Sequence, residues 1–200
     1  MGTEDDVILQ SQKHWVDVTV NFFNSIGLVT TYCDEATGFF PGISVRNGTL
    51  AVGPDCVVSD LLHEGGHLAV VPAQFRAYLN GNVGSGLHRM LDEIGALDLH
   101  PDDLLYRATI QASDPEVQAW GWACGEHLGI PEDLRILDSE FDGEGAVMRQ
   151  ALSMNCHAGI NGLAHAGFCL ARRVRGLEKP AYPKLSHWIQ PVIEPGSVTW

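Results

Sequence analysis

The chain lacks a long hydrophobic run. No segment reaches the ~18 continuous apolar residues of a membrane span, so no membrane partner is expected. Bases are scarce too: 12 Lys and Arg stand against 25 Asp and Glu, for a net charge of −13. Arg172, Arg173 and Arg175 form the one dense positive cluster, and it is short, which argues against a nucleic-acid partner. There is no C-x-x-C pair. The five cysteines, Cys33, Cys56, Cys124, Cys156 and Cys169, are odd in number and scattered, which argues against a disulfide framework or a thiolate zinc site and suits buried cytosolic thiols. The acidic start, Met1 to Asp6, precedes no signal-type apolar stretch. These absences lead to the expectation of a soluble, cytoplasmic protein.

What is present reads as one domain over residues 1–200, long enough to bury a substantial core. Ile8, Trp15, Val18, Phe22, Phe23 and Ile26 recur at helical spacing and predict a first helix over 8–27. Asn47-Gly48 lies between two short β-type runs and predicts a hairpin over about 43–52. Gly81 to Gly86 reads as a flexible loop without the Gly-Lys-Ser/Thr ending of a P-loop, and a short helix follows over 87–97. Ser113-Asp114-Pro115-Glu116 is a strong helix start, and Gly129 and Pro131 end that helix after His127 or Leu128. Two more helices are expected over 144–156 and 160–174, then an extended tail over about 179–200. The fold class is therefore α+β and helix-dominated, with a small antiparallel sheet against one of the helices.

His63-Glu64-Gly65-Gly66-His67 is the feature that carries chemistry. On a helix, positions i and i+4 share one face, so two imidazoles can chelate one metal ion. Glu64 then projects beside them to take a proton from metal-bound water. Asp55 or Ser59 is placed to cap this helix and Pro72 to stop it. Gly65 and Gly66 weaken a helix by roughly 1 kcal/mol each, a cost that makes sense where something approaches the backbone closely.

A catalytic zinc site needs a third protein ligand. Glu116 is the first candidate, with Glu93, Asp114, His157 and His165 as alternatives. His157, His165 and Tyr106 are candidates to stabilise a developing oxyanion, since Gly159-Ile160-Asn161-Gly162 reads as a break that turns both histidines toward one cleft. Asp138 to Glu144 starts like a calcium loop, but its twelfth position is Arg149, so it reads as a solvated acidic turn.

An H-E-x-G-H helix, followed by a helix opening with Glu, with an aromatic one turn on at Trp120, resembles the ImmA/IrrE-type gluzincin peptidases. The likeness spans roughly residues 39–131 and includes the hairpin before the motif helix. Two departures stand out. Gly65 replaces a larger residue, and 48 residues (68 to 115) lie between His67 and Glu116. The resemblance implies a zincin-like fold, a Zn2+ site of His63, His67 and Glu116, and hydrolysis of a peptide or small amide, with a dedicated protein partner as one possible substrate. The same donor types also form the facial triad of non-haem iron enzymes, so Fe2+ is the alternative metal. A non-catalytic, metal-containing regulatory or binding protein is the third reading. Five tryptophans and the long tail are compatible with a homo-oligomer.

Overall fold

The computed structural model describes residues 4–196, with side chains from Ser11 onward. Positions 197–200 of the expected tail and the side chain of Ile8 lie outside the described residues. In chain order the elements are helix α1 (Glu4–Ile26), strands β1 (Thr30–Tyr32), β2 (Ile43–Arg46) and β3 (Thr49–Val52), and helices α2 (Val58–Val70) and α3 (Val83–Gly95). Helices α4 (Leu104–Ile110), α5 (Asp114–Leu128), α6 (Glu132–Arg135), α7 (Gly145–Ser153) and α8 (Ala158–His165) follow. The fold is α+β and helix-dominated.

The hairpin forms where Asn-Gly demands it. Asn47 and Gly48 take φ of 50° and 78°, the left-handed pair that matches the twist of β2 and β3. Those two strands pair antiparallel, Ile43 opposite Val52 and Arg46 opposite Thr49. A third strand, β1, runs parallel to β3 on its other side, so the sheet is mixed in the order β1-β3-β2. Three residues are too few to show an alternating pattern, and β1 is fixed from outside. The Asn24 side chain donates to the Thr30 carbonyl and accepts from the Thr30 N–H.

Helix α2 is a core helix. All of its thirteen residues except Asp60 and His63 are buried, so it packs nearly all round. Neither Asp55 nor Ser59 caps it. Val57 holds the cap position, and the Val58 N–H donates instead to Gln12 Oε1 of α1 at 3.0 Å. The other end is tied by distant groups. Arg76 Nε donates to the Leu68 carbonyl at 2.7 Å and one Nη to that of Gln190 at 2.9 Å, while the Gln190 N–H donates to the Ala69 carbonyl at 2.8 Å. A guanidinium at a helix C-terminus satisfies carbonyls left open there and suits the negative end of the dipole.

The two glycines of the motif explain how α2 fits. A Cβ at Gly65 would overlap Cε2 and Cζ of Phe23, which is fully buried on α1. A Cβ at Gly66 would lie 2.8 Å from Val117 Cγ1 and 3.0 Å from the Val117 carbonyl oxygen of α5. The close neighbours are helices, with Phe23 backed in turn by Trp120 at 5.8 Å between rings.

Three other boundaries differ from expectation. Helix α3 starts at Val83, inside the expected loop, because the Asn82 side chain accepts from the Ser85 N–H and Gly86 packs against the Tyr78 carbonyl. Helix α7 ends at Ser153, three residues early. Helix α8 ends at His165, where the chain turns through Gly167 at φ 96°. The tail then runs without helix or named strand, but parts of it are buried. Tyr182 donates to the Ala119 carbonyl and Trp120 Nε1 to the Trp188 carbonyl, at 2.9 and 2.8 Å.

Gly65→Ala tests this packing. Alanine is the better helix former by about 1 kcal/mol, yet the substitution is expected to destabilise by about 1–3 kcal/mol because Phe23 has nowhere to move. A lower urea midpoint at unchanged slope would agree. An unchanged or raised midpoint would show that α1 and α2 are not in this contact.

Candidate metal centre

His63 and His67 stand one turn apart on α2, with Nε2 atoms 3.1 Å from each other. Asp114, in the first turn of α5, brings Oδ1 to 3.4 Å from His67 Nε2. One donor atom from each of the three lies within 4.8 Å of the others. Around a tetrahedral ion with bonds of ~2.0–2.1 Å, neighbouring donors stand about 3.3 Å apart, a spacing that the 3.1 Å His63–His67 and 3.4 Å His67–Asp114 separations match. These three residues form a group that can hold a metal.

The electrostatics agree with that. Burial pushes His67 down to about 3, and His63 beside it pushes the same way. Burial also lowers His63, although Asp114 pulls it up. Both rings are therefore neutral at pH 7, and the His67–Asp114 contact is not an ion pair. Protons do not compete for the two nitrogens there. Glu64 lines the same cavity, 5 % exposed, with Oε2 buried and no hydrogen-bond partner. Burial, then Asp60 and Asp114, push its carboxyl up to about 7. A buried, unpartnered carboxylate costs several kcal/mol unless a cation or proton meets it.

The carboxylate beside the two histidines is that of Asp114. Glu116, the first candidate from spacing, is turned the other way. Its Oε2 accepts from the Ser113 N–H at 3.3 Å and the Ser113 hydroxyl at 2.6 Å, within a capping box. Helix α8 presses on it, since a Cβ at Gly162 would overlap Glu116 Oε1. This box holds the turn that presents Asp114. The S-x-x-E pattern of Ser113 and Glu116 was the sequence signal that Glu116 is taken up by the helix start.

The remaining candidates lie elsewhere. Glu93 sits exposed on α3, accepting from the Tyr78 hydroxyl at 3.0 Å and paired with Arg89 at 3.3 Å. His157 caps α8, its Nδ1 accepting from the Gly159 N–H at 3.3 Å, and burial lowers its pKa against the pull of Glu116. His165 is at the opposite end of α8, exposed, and lowered by burial and then by Arg107. Residues 159–162 lie inside that helix and make no break, so the two histidines are not turned into one cleft. Neither they nor Tyr106 lines the cavity of the metal group. In the acidic run, Asp138 is paired with Arg149, in keeping with a solvated turn.

Compared with known proteins, the chain matches no family profile, no curated protein and no solved structure. Among the described residues no helix is long and apolar enough to cross a membrane.

Asp114→Ala is expected to weaken binding of one divalent transition ion by on the order of 100-fold, measured against a chromophoric chelator at pH 7. Glu93→Ala is expected to leave the affinity unchanged. Equal affinities for wild type and Asp114→Ala would remove Asp114 from the ligand set.

Proposed function

We propose that the chain is a zinc-dependent hydrolase of peptidase type, with His63, His67 and Asp114 holding the ion and Glu64 as general base. One observation carries this reading. Three neutral or anionic donors converge on one point, and a fourth group, the unpartnered Glu64 carboxylate, is buried in the same cavity. Two histidines and a carboxylate suit zinc and leave one position open, as a catalytic site requires. The bound ion would supply Lewis acidity, activating water and polarising a carbonyl at neutral pH.

The protein's own groups supply the rest. Glu64 is fixed by a helix that is packed on nearly every side, so its carboxylate is held in one place relative to the two imidazoles. With a pKa raised to about 7, it is basic enough to take a proton from the attacking water and acidic enough to return it to a leaving amine. The cation would lower that value in the loaded protein, moving Glu64 toward its ionised, proton-accepting form. Asp114 has a side chain 68 % exposed, so the cleft opens to solvent on the α5 side. His157 and His165 have no role in this scheme. They stay with α8.

The test is the metal content of protein purified without added metal or chelator, followed by Glu64→Gln. About one zinc ion per chain is expected, and Glu64→Gln should keep it while lowering turnover of a cleaved peptide by roughly 10²–10⁴. Iron in place of zinc, or turnover that survives Glu64→Gln, would overturn the hydrolase reading.

A further inference from the structure

Among the described residues Phe39 is the most exposed large apolar side chain, 85 % open to solvent, and it lines the cavity of the metal group. It is displayed, not loose. Thr37 bridges to Pro41 across it, and Gly38 sits so near the next strand that a Cβ would lie 2.6 Å from the Ile43 carbonyl oxygen. Beneath it, half-buried Phe40 meets Phe39 edge-on at 4.9 Å and His63 edge-on at 5.6 Å. A chain of edge-to-face rings therefore runs from the cleft mouth to a metal ligand.

The rest of the apolar lining comes from the start of α3. Val83 and Leu87 stand one turn apart, and Gly81 and Gly84 contribute no bulk. The cavity that these residues line measures about 670 Å³, room for several residues of extended peptide. Its charged lining is one-sided. Glu64 and Asp114 are acids, and no Lys or Arg lines it. Holding a terminal carboxylate takes a cation at hydrogen-bond range, most often arginine. Asp114 and Glu64 already balance the two charges of a bound zinc ion, so a carboxylate near the reacting bond would find no side-chain cation to pair with, beside an apolar wall where repulsion is poorly screened.

We propose that this cleft takes an internal, apolar stretch of polypeptide, seating an aliphatic or aromatic side chain between Phe39 and the Val83–Leu87 wall, and excludes carboxylates next to the scissile bond. The enzyme would then cut within chains and not trim a free C-terminus. This rests on the hydrolase reading above and adds the substrate class to it.

The experiment uses full-length, zinc-loaded protein and quenched fluorogenic peptides of one length, blocked at both ends. One set carries Leu or Phe on either side of the central bond, and a matched set carries Glu. A third carries Leu or Phe one residue from an unblocked C-terminus. The blocked apolar set is expected to show kcat/KM at least about tenfold above both others. Phe39→Ala should erase most of that preference while leaving zinc content and urea midpoint unchanged. Equal or reversed preference, or a preference indifferent to Phe39→Ala, would overturn the inference and leave the hydrolase reading standing. If zinc-loaded protein cuts none of the peptides, the hydrolase reading fails, and anisotropy with the same peptides decides the cleft. Selective binding of the blocked apolar set, lost in Phe39→Ala, would uphold it, and equal binding of all three would overturn it.

Discussion

The contact on which the rest depends is the close approach of α2 to α5. Gly66 of α2 faces Val117, and Gly121 of α5 faces Leu62, whose carbonyl oxygen would lie 3.4 Å from an added Cβ. Without side chains at these two points the helices come near enough for the first turn of α5 to reach across. Asp114 then stands beside His67. One residue back, about 100° round the helix, Gly65 lets the Phe23 ring of α1 come into close contact. The metal group thus forms between two helices, and its geometry follows from how deeply α2 is sunk among its neighbours.

That burial leaves the ends of α2 short of partners, and the chain supplies them from far away. Gln12 serves the first turn, and Arg76 and the backbone of Gln190 serve the last. The tail is therefore not a passive covering. It closes the C-terminal end of α2 and lies on α5 through Tyr182 and Trp188. A core helix capped by residues so distant in sequence holds its side chains more firmly than one capped by its own flanks, because loosening an end requires separate pieces of the fold to move. Glu64 and His67 benefit from this, being carried on the stretch between the two tied ends.

Local signals were legible in the sequence, and tertiary ones were not. The motif spacing, the Asn47-Gly48 turn, the Ser113–Glu116 helix start and the Gly129 stop each depend on a few neighbouring residues, and the structure has all of them. The start of α3 was hidden because three glycines between 81 and 86 look like a loop, whereas Gly86 is there to let α3 touch the backbone of Tyr78. Strand β1 was hidden because its pairing is set by Asn24 and β3, not by its own three residues. The choice between Asp114 and Glu116 turned on whether a first-turn acid faces its own cap or a neighbouring helix. Spacing cannot decide that, although the capping-box pattern can.

The titratable groups of α2, in the cavity and beside it, pull stability in opposite directions. Glu64 has a folded pKa near 7 against an ordinary value of 4.5, so the folded chain takes up a proton more readily than the unfolded one. Its contribution is favourable in acid and is lost as pH rises through about 7. Asp60, raised to about 6 by burial and by Glu140, acts in the same sense over a lower window. His67 does the reverse. Its folded value near 3 lies below the ordinary 6.5, so its contribution is present at neutral pH and is lost as the pH falls toward 3. No proton concentration satisfies the acids and the histidine together. A divalent cation does, because it takes the lone pairs of neutral imidazoles and the charge of carboxylates at one pH. An ion held by His63, His67 and Asp114 would bind the folded chain in preference to the unfolded one and so link folding to metal binding.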